Sequence, residues 1–178
     1  TNSGTIQKNV ESSLNRIYMY SHDDIIDNQA GGTIDVDQIY FNTGDDTLIN
    51  AGDLSVEIAG TYKDVLFLGG DDTMDFHVDT GSFTGLADGG AAGNDSLILR
   101  AGTGNSGSAD LSQFINFETL DIKGGGEVTV TNTHDTNLTA STMEDDGTTL
   151  IVASGAAIDV DITAGAAGQS LIIDGDVS

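Results

Sequence analysis

The sequence predicts an all-β chain folded as a right-handed parallel β-helix (a β-solenoid) of about seven coils. Three observations predict it. First, one short strand is rewritten along the chain. Its copies are Asp46-Thr47-Leu48-Ile49-Asn50, Asp72-Thr73-Met74-Asp75-Phe76, Asp95-Ser96-Leu97-Ile98-Leu99, Glu118-Thr119-Leu120-Asp121-Ile122, Thr148-Thr149-Leu150-Ile151-Val152 and Gln169-Ser170-Leu171-Ile172-Ile173. Second, the copies, centred at 48, 74, 97, 120, 150 and 171, are separated by 26, 23, 23, 30 and 21 residues. A unit of that length cannot bury its own apolar face and must stack on its neighbours. Third, the composition suits stacked strands. Proline is absent, so no ladder N–H is lost, and 24 glycines supply tight corners.

Within each copy, residues i and i+2 of a strand point the same way. Leu48, Met74, Leu97, Leu120, Leu150 and Leu171 are therefore expected in one inward column, with Phe76, Leu99, Ile122, Val152 and Ile173 beside it. Parallel crossovers are overwhelmingly right-handed, which gives the expected hand. At about 4.8 Å per coil the stack would be roughly 34 Å long.

Residues 1–32 are the least regular. Val10, Leu14, Ile17 and Tyr18 have helical spacing, which fits a short helix over about Asn9–Ser21 covering the end of the stack. The rival reading is one more coil, with Arg16–Tyr20 as a strand. Residues 1–32 are accordingly set apart as a cap or irregular first coil, and 33–178 as the repeat domain. From Gly32 the alternation is clear: Thr33-Ile34-Asp35-Val36-Asp37 is apolar on one side and acidic on the other, and Ile39 with Phe41 forms the next strand. An eight-residue offset from Leu48 to Val56, Leu120 to Val128 and Leu150 to Ile158 predicts a second wall. The Gly-, Ser- and Asp-rich stretches Asp79–Gly93 and Ala101–Ala109 read as loops leaving the stack. The chain starts at Thr1 rather than Met and ends in mid-corner, and is read as a segment of a longer protein.

Charge narrows the function. Formal net charge is −24, from 29 acidic and 5 basic residues, with the basics scattered in sequence. That excludes a basic footprint for nucleic acid, and it disfavours polyanionic sugars and anionic lipid surfaces as partners. No apolar run approaches membrane-spanning length, so no direct membrane insertion of this segment is expected. With no cysteine there are no disulfides or thiolate metal sites.

The run Ile115–Gly126, INFETLDIKGGG, together with GDDTLIN, GGDDTMDF and GGAAGNDSLIL before it, resembles the strand-and-glycine repeats of passenger regions in bacterial autotransporter adhesins. The likeness spans about Gly32 to the end. It implies a right-handed parallel β-helix, export by a C-terminal barrel, a place at the cell surface or outside the cell, and adhesion or self-association. It carries no catalytic residues.

The residue two before each of the first four organising positions is Asp46, Asp72, Asp95 and Glu118. Stacked, these would form a carboxylate ladder at about 4.8 Å spacing, where like charges raise each other's pKa or demand a cation. Calcium is the candidate cation, since it accepts carboxylate and backbone oxygens in loose geometry. Gly44–Leu48, Gly70–Met74 and Gly93–Leu97 also resemble half of the calcium-binding RTX nonapeptide. RTX repeats recur every nine residues, however, and these recur every 23 to 26. The preferred reading is that these side chains bond local backbone N–H groups in the turn leading into each strand.

An enzyme is the third class. Same-face pairs such as Asp35/Asp37 or Asp159/Asp161 could serve a glycoside hydrolase, but a chain this acidic supplies such pairs on solvated faces anyway. His22, His77 and His134 lack metal-ligand spacing. Tyr18, Tyr20 and Tyr40 could stack sugars or peptides, and are read first as edge packing. The expectation is a non-catalytic segment of a secreted or surface adhesin without cofactor, with a host or bacterial surface protein, a glycan or another copy as partner. A calcium-dependent RTX-like or S-layer module and a glycan-active β-helix enzyme are the alternatives.

Overall fold

A computed structural model describes residues 1–7, 14–56, 65–134, 137–158 and 161–174. The chain is a parallel β-solenoid. In order, its strands are β1 (Thr5–Gln7), β2 (Arg16–Tyr18), β3 (Ile25–Asn28), β4 (Thr33–Val36), β5 (Gln38–Tyr40), β6 (Thr47–Asn50), β7 (Asp53–Val56), β8 (Val65–Leu66), β9 (Thr73–His77) and β10 (Ser82–Thr84). There follow β11 (Ala87–Asp88), β12 (Ser96–Arg100), β13 (Ser106–Asp110), β14 (Phe114–Ile115), β15 (Thr119–Lys123), β16 (Glu127–Thr131), β17 (Ala140–Met143), β18 (Thr149–Val152), β19 (Ile162–Ala164) and β20 (Ser170–Ile173).

One sheet runs the length of the stack, with seven strands in the order β3-β6-β9-β12-β15-β17-β19, one per coil. A second wall is built from β1-β4-β7-β10 in the N-terminal half and β13-β16-β18-β20 in the C-terminal half. The third wall is β2-β5-β8-β11-β14. Every named pairing is parallel, because each strand meets its counterpart only after the chain has completed a turn.

Alternation sets the interior. Leu48, Met74, Leu97 and Leu120 are register partners in neighbouring coils and are buried. Phe76, Leu99 and Ile122 form the column beside them. Fully burying such a side chain contributes about 1.5–3 kcal/mol, and the columns repeat that gain coil after coil. Aromatic rings stack in the interior: Phe41 and Phe67 with centroids 4.7 Å apart, and Phe83 and Phe114 at 5.5 Å. At the first two coils the second column is polar, and buried Asn28 donates from Nδ2 to Asn50 Oδ1 at 2.8 Å. Asn50 therefore breaks the apolar pattern without being left unsatisfied.

Of the two readings of residues 1–32, the described part follows the extra coil and not the helix: Arg16–Tyr18 pairs in register with Gln38–Tyr40, and no α-helix occurs among the described residues. Val10, part of the helical spacing, lies outside them. Three further readings are corrected below.

The column assigned to the six leucine-type positions holds only through Leu120. Its continuation is Ser141 and then Ile162, whereas Leu150 and Leu171 sit in the other wall beneath Val128. The offset from Leu150 to Ile158 falls with that shift. The 30-residue gap hid a coil, because a serine occupies its inward position.

Asp79–Gly93 and Ala101–Ala109 are not loops that leave the stack. They contain β10, β11 and most of β13, and they bury Phe83, Ala87, Ala101 and Ala109. The basic residues are not all scattered in space either. Arg100 and Lys123 are register partners beside His77, on a face where Arg100 forks onto Asp75 (Nη2–Oδ2 2.8 Å) and Lys123 meets Glu144 at 2.9 Å.

Candidate functional site

The predicted acidic residues come together at one corner of the solenoid, just before the long sheet. The local sequence is glycine, an acid, a second acid, then a hydroxyl residue that opens the strand. The glycine is required there. Gly70 and Gly93 have φ of 134° and 118°. A Cβ on Gly93 would lie 1.7 Å from the Gly70 carbonyl oxygen, and one on Gly70 would lie 1.9 Å from that of Gly44. The corners therefore stack backbone against backbone, and only glycine fits.

This close approach places the following acids directly over one another. Asp24 N–H donates to Asp46 Oδ1 at 2.8 Å, and Asp46 N–H to Asp72 Oδ1 at 2.7 Å. Asp72 N–H then donates to Asp95 Oδ1 at 2.8 Å, and Asp95 N–H to Glu118 Oε2 at 2.7 Å. Asp46, Asp72, Asp95 and Glu118 are thus one continuous ladder, as expected from their spacing. The expectation of bonds to local N–H groups is corrected: each donor lies one coil away, 22 to 26 residues distant in sequence.

A second ladder stands outside the first and runs the other way. Asp45 N–H donates to Asp23 Oδ1 at 3.0 Å, Asp71 N–H to Asp45 Oδ1 at 2.9 Å, and Asn94 N–H to Asp71 Oδ1 at 2.9 Å. The inner carboxylate of each pair caps the coil before it, and the outer one caps the coil after it. Corner N–H groups have no strand partner, and these side chains satisfy them. Sequence reasoning missed the outer ladder. Its signal is the doubled acid at 23–24, 45–46 and 71–72, with Asn94-Asp95 as the variant.

The inner carboxylates carry an electrostatic cost. Asp46, Asp72 and Asp95 are each 1% exposed, and Oδ2 of Asp46 and of Asp72 has no hydrogen-bond partner. Burial pushes Asp72 up from 3.8 to about 6; the Asp46 N–H opposes it, and the carboxylates of Asp46, Asp45 and Asp71 add to it. Burial likewise pushes Asp95 up to about 7, opposed by the Asp72 N–H and reinforced by Asp72, Glu118 and Asp71. Asp46 is raised in the same direction, also first by burial.

The ladder is linear. One oxygen of each carboxylate accepts an N–H, and among the described residues no three His, Cys, Asp or Glu side chains converge closely enough to hold a metal ion. The later members of the sequence pattern do not extend it. Thr148 accepts from Gly125 N–H at 3.1 Å in the other wall, and Gln169 bonds the carbonyl oxygens of Met143 and Asp145 there.

Of the candidate catalytic pairs, Asp37 accepts from Asn15 N–H at 2.6 Å, and Asp159 lies outside the described residues. His77 is 3.7 Å from Asp75 on the outer face. Among the described residues no helix is long and apolar enough to cross a membrane. No protein-family model matches the chain, and no curated protein or solved structure matches it either.

Proposed function

We propose that this chain is a non-catalytic segment of a secreted or cell-surface bacterial adhesin, a rigid stalk whose lateral surface mediates adhesion or self-association. The observation that carries this reading is the continuity of the stack. Seven coils are joined strand to strand along one sheet, and the corners are joined again by side-chain ladders. Such a rod bends little and offers long lateral faces. Weak contacts on those faces add up when many molecules are displayed together. The charge of −24 favours solubility. The partner is a host or bacterial surface protein, a glycan or another copy.

The test is adhesion itself. Beads coated with the chain are applied to bacterial and epithelial cell layers under flow, and the free chain is examined by sedimentation velocity. Adhesion above that of beads coated with an unrelated acidic protein, or reversible self-association, supports the reading. A strictly monomeric chain whose beads adhere no better than the controls overturns it.

A further inference from the structure

The outer face of β2, β5 and β8 differs from the rest of the surface. Tyr18 and Tyr40 are register partners whose rings lie parallel within 8°, centroids 4.9 Å apart. Tyr20 leans against Tyr18 at 5.1 Å and 59°. Tyr18 and Tyr20 are 46% and 72% exposed. Ile39 is fully buried and Ile17 packs against the core, so alternation turns the tyrosines outward.

Edge packing explains part of this cluster, since Tyr40 stands in register with Leu66. It does not explain Tyr20, which leaves most of a large ring in water. Contiguous exposed aromatic surface marks an interaction site more often than a structural one.

The chemistry around the rings selects the partner. The outward positions of β2, β5 and β8 are Arg16, Tyr18, Gln38, Tyr40 and Leu66, with no carboxylate among them; Gln38 is buried, and the first carboxylate in the row is the buried Asp88 of β11. Arg16 is exposed beside the rings and brings its guanidinium next to the aromatic surface. A pyranose ring needs this combination: its C–H face packs on an aromatic ring, while its hydroxyls bond to planar polar side chains. An acidic polysaccharide would be repelled by the net charge of −24, and a cationic partner would be drawn to the carboxylate corners instead.

We infer that the Tyr18–Tyr20–Tyr40 cluster is a binding platform for a neutral glycan. The inference rests on the adhesive-stalk reading for its purpose, and names the face and the partner class.

The chain reports on this site directly. It has no tryptophan and four tyrosines, three of them in the cluster. The whole chain is titrated with cellohexaose, maltohexaose and mannohexaose while tyrosine emission is followed. A saturable change with at least one of these sugars is expected. Tyr20→Ala should weaken it about tenfold or more, the scale of one lost stacking contact, whereas Tyr20→Phe should keep it. Circular dichroism confirms that the variants stay folded.

No saturable change with any of the three sugars overturns the platform, and so does binding that Tyr20→Ala leaves intact. Loss of self-association in Tyr20→Ala, with no sugar bound by the wild type, assigns the face to a second copy instead. Beads that adhere equally with and without Tyr20 sink the platform and spare the adhesive stalk. Sugar binding without bead adhesion does the reverse.

Discussion

The backbone N–H of Asp72 donates to the side chain of Asp95, 2.8 Å away in the next coil. The bond joins residues 23 apart in sequence, and both belong to buried acids whose pKa is raised. The corner is thereby held by groups that are costly to keep charged.

Stability should fall as pH rises. Unfolded, these aspartates titrate near 3.8; folded, Asp72 titrates near about 6 and Asp95 near about 7. Between those values the folded chain holds protons that the unfolded chain has released. The contribution is complete below pH 3.8 and is lost as pH passes through about 6 and then about 7. Over the whole window Asp72 accounts for about 3 kcal/mol and Asp95 for about 4 kcal/mol. Urea unfolding at pH 4.5 and pH 8 checks this, with the higher midpoint expected at pH 4.5.

Asp72→Asn should flatten that profile. The amide oxygen still accepts the Asp46 N–H, and the charge is gone. The variant is expected to lose roughly 2 kcal/mol of the difference between pH 4.5 and pH 8, and to lower the apparent pKa of Asp95 by removing a neighbouring charge. Parallel unfolding profiles for variant and wild type would contradict it.

The first four copies of the repeat were legible because each keeps an acid, a hydroxyl residue and an apolar residue in the same order. The fifth was not, because Ser141 stands where the pattern demands an apolar side chain. The next apolar run, around Leu150, then passed for it although it belongs to another wall. The carboxylate column was also legible from spacing. Its hydrogen-bond donors were not, since a partner one coil away is fixed by register, and register depends on coil lengths that vary from 21 to 26 residues. The tyrosine cluster was visible as three residues but not as a surface, because Tyr18 and Tyr40 meet only through the pairing of β2 with β5.

Ser141→Ala should stabilise the fold. The Ser141 hydroxyl is 2% exposed and has no hydrogen-bond partner, in a column between Leu120 and Ile162. Removing an unpaired buried hydroxyl contributes about 1 kcal/mol. The urea midpoint should rise with an unchanged slope.

Gly93→Ala should be severe and Gly104→Ala mild. Both residues have positive φ, but a Cβ at Gly93 meets the Gly70 oxygen at 1.7 Å, while one at Gly104 meets nothing within 4 Å. Backbone strain alone costs about 1–2 kcal/mol at Gly104. At Gly93 the coils must also separate, and the cost should exceed about 3 kcal/mol. Equal losses in thermal unfolding would show that the corner does not stack as described.

Calcium should act on this corner no more strongly than ionic strength does. One oxygen of each inner carboxylate is already bonded, and no three acids converge among the described residues. Unfolding midpoints in millimolar calcium chloride and in sodium chloride of equal ionic strength should agree. A large rise specific to calcium, abolished by Asp72→Ala with Asp95→Ala, would make the ladder a metal site.

The most direct test of the account is the titration of the inner ladder itself, read from the side-chain carboxyl carbon signals of Asp46, Asp72 and Asp95 by NMR. Midpoints near about 6 for Asp72 and about 7 for Asp95, with Asp46 also above 3.8, are the predicted result. Ordinary aspartate midpoints near 3.8 at all three would contradict it, because those carboxylates would then be solvated rather than buried between the coils.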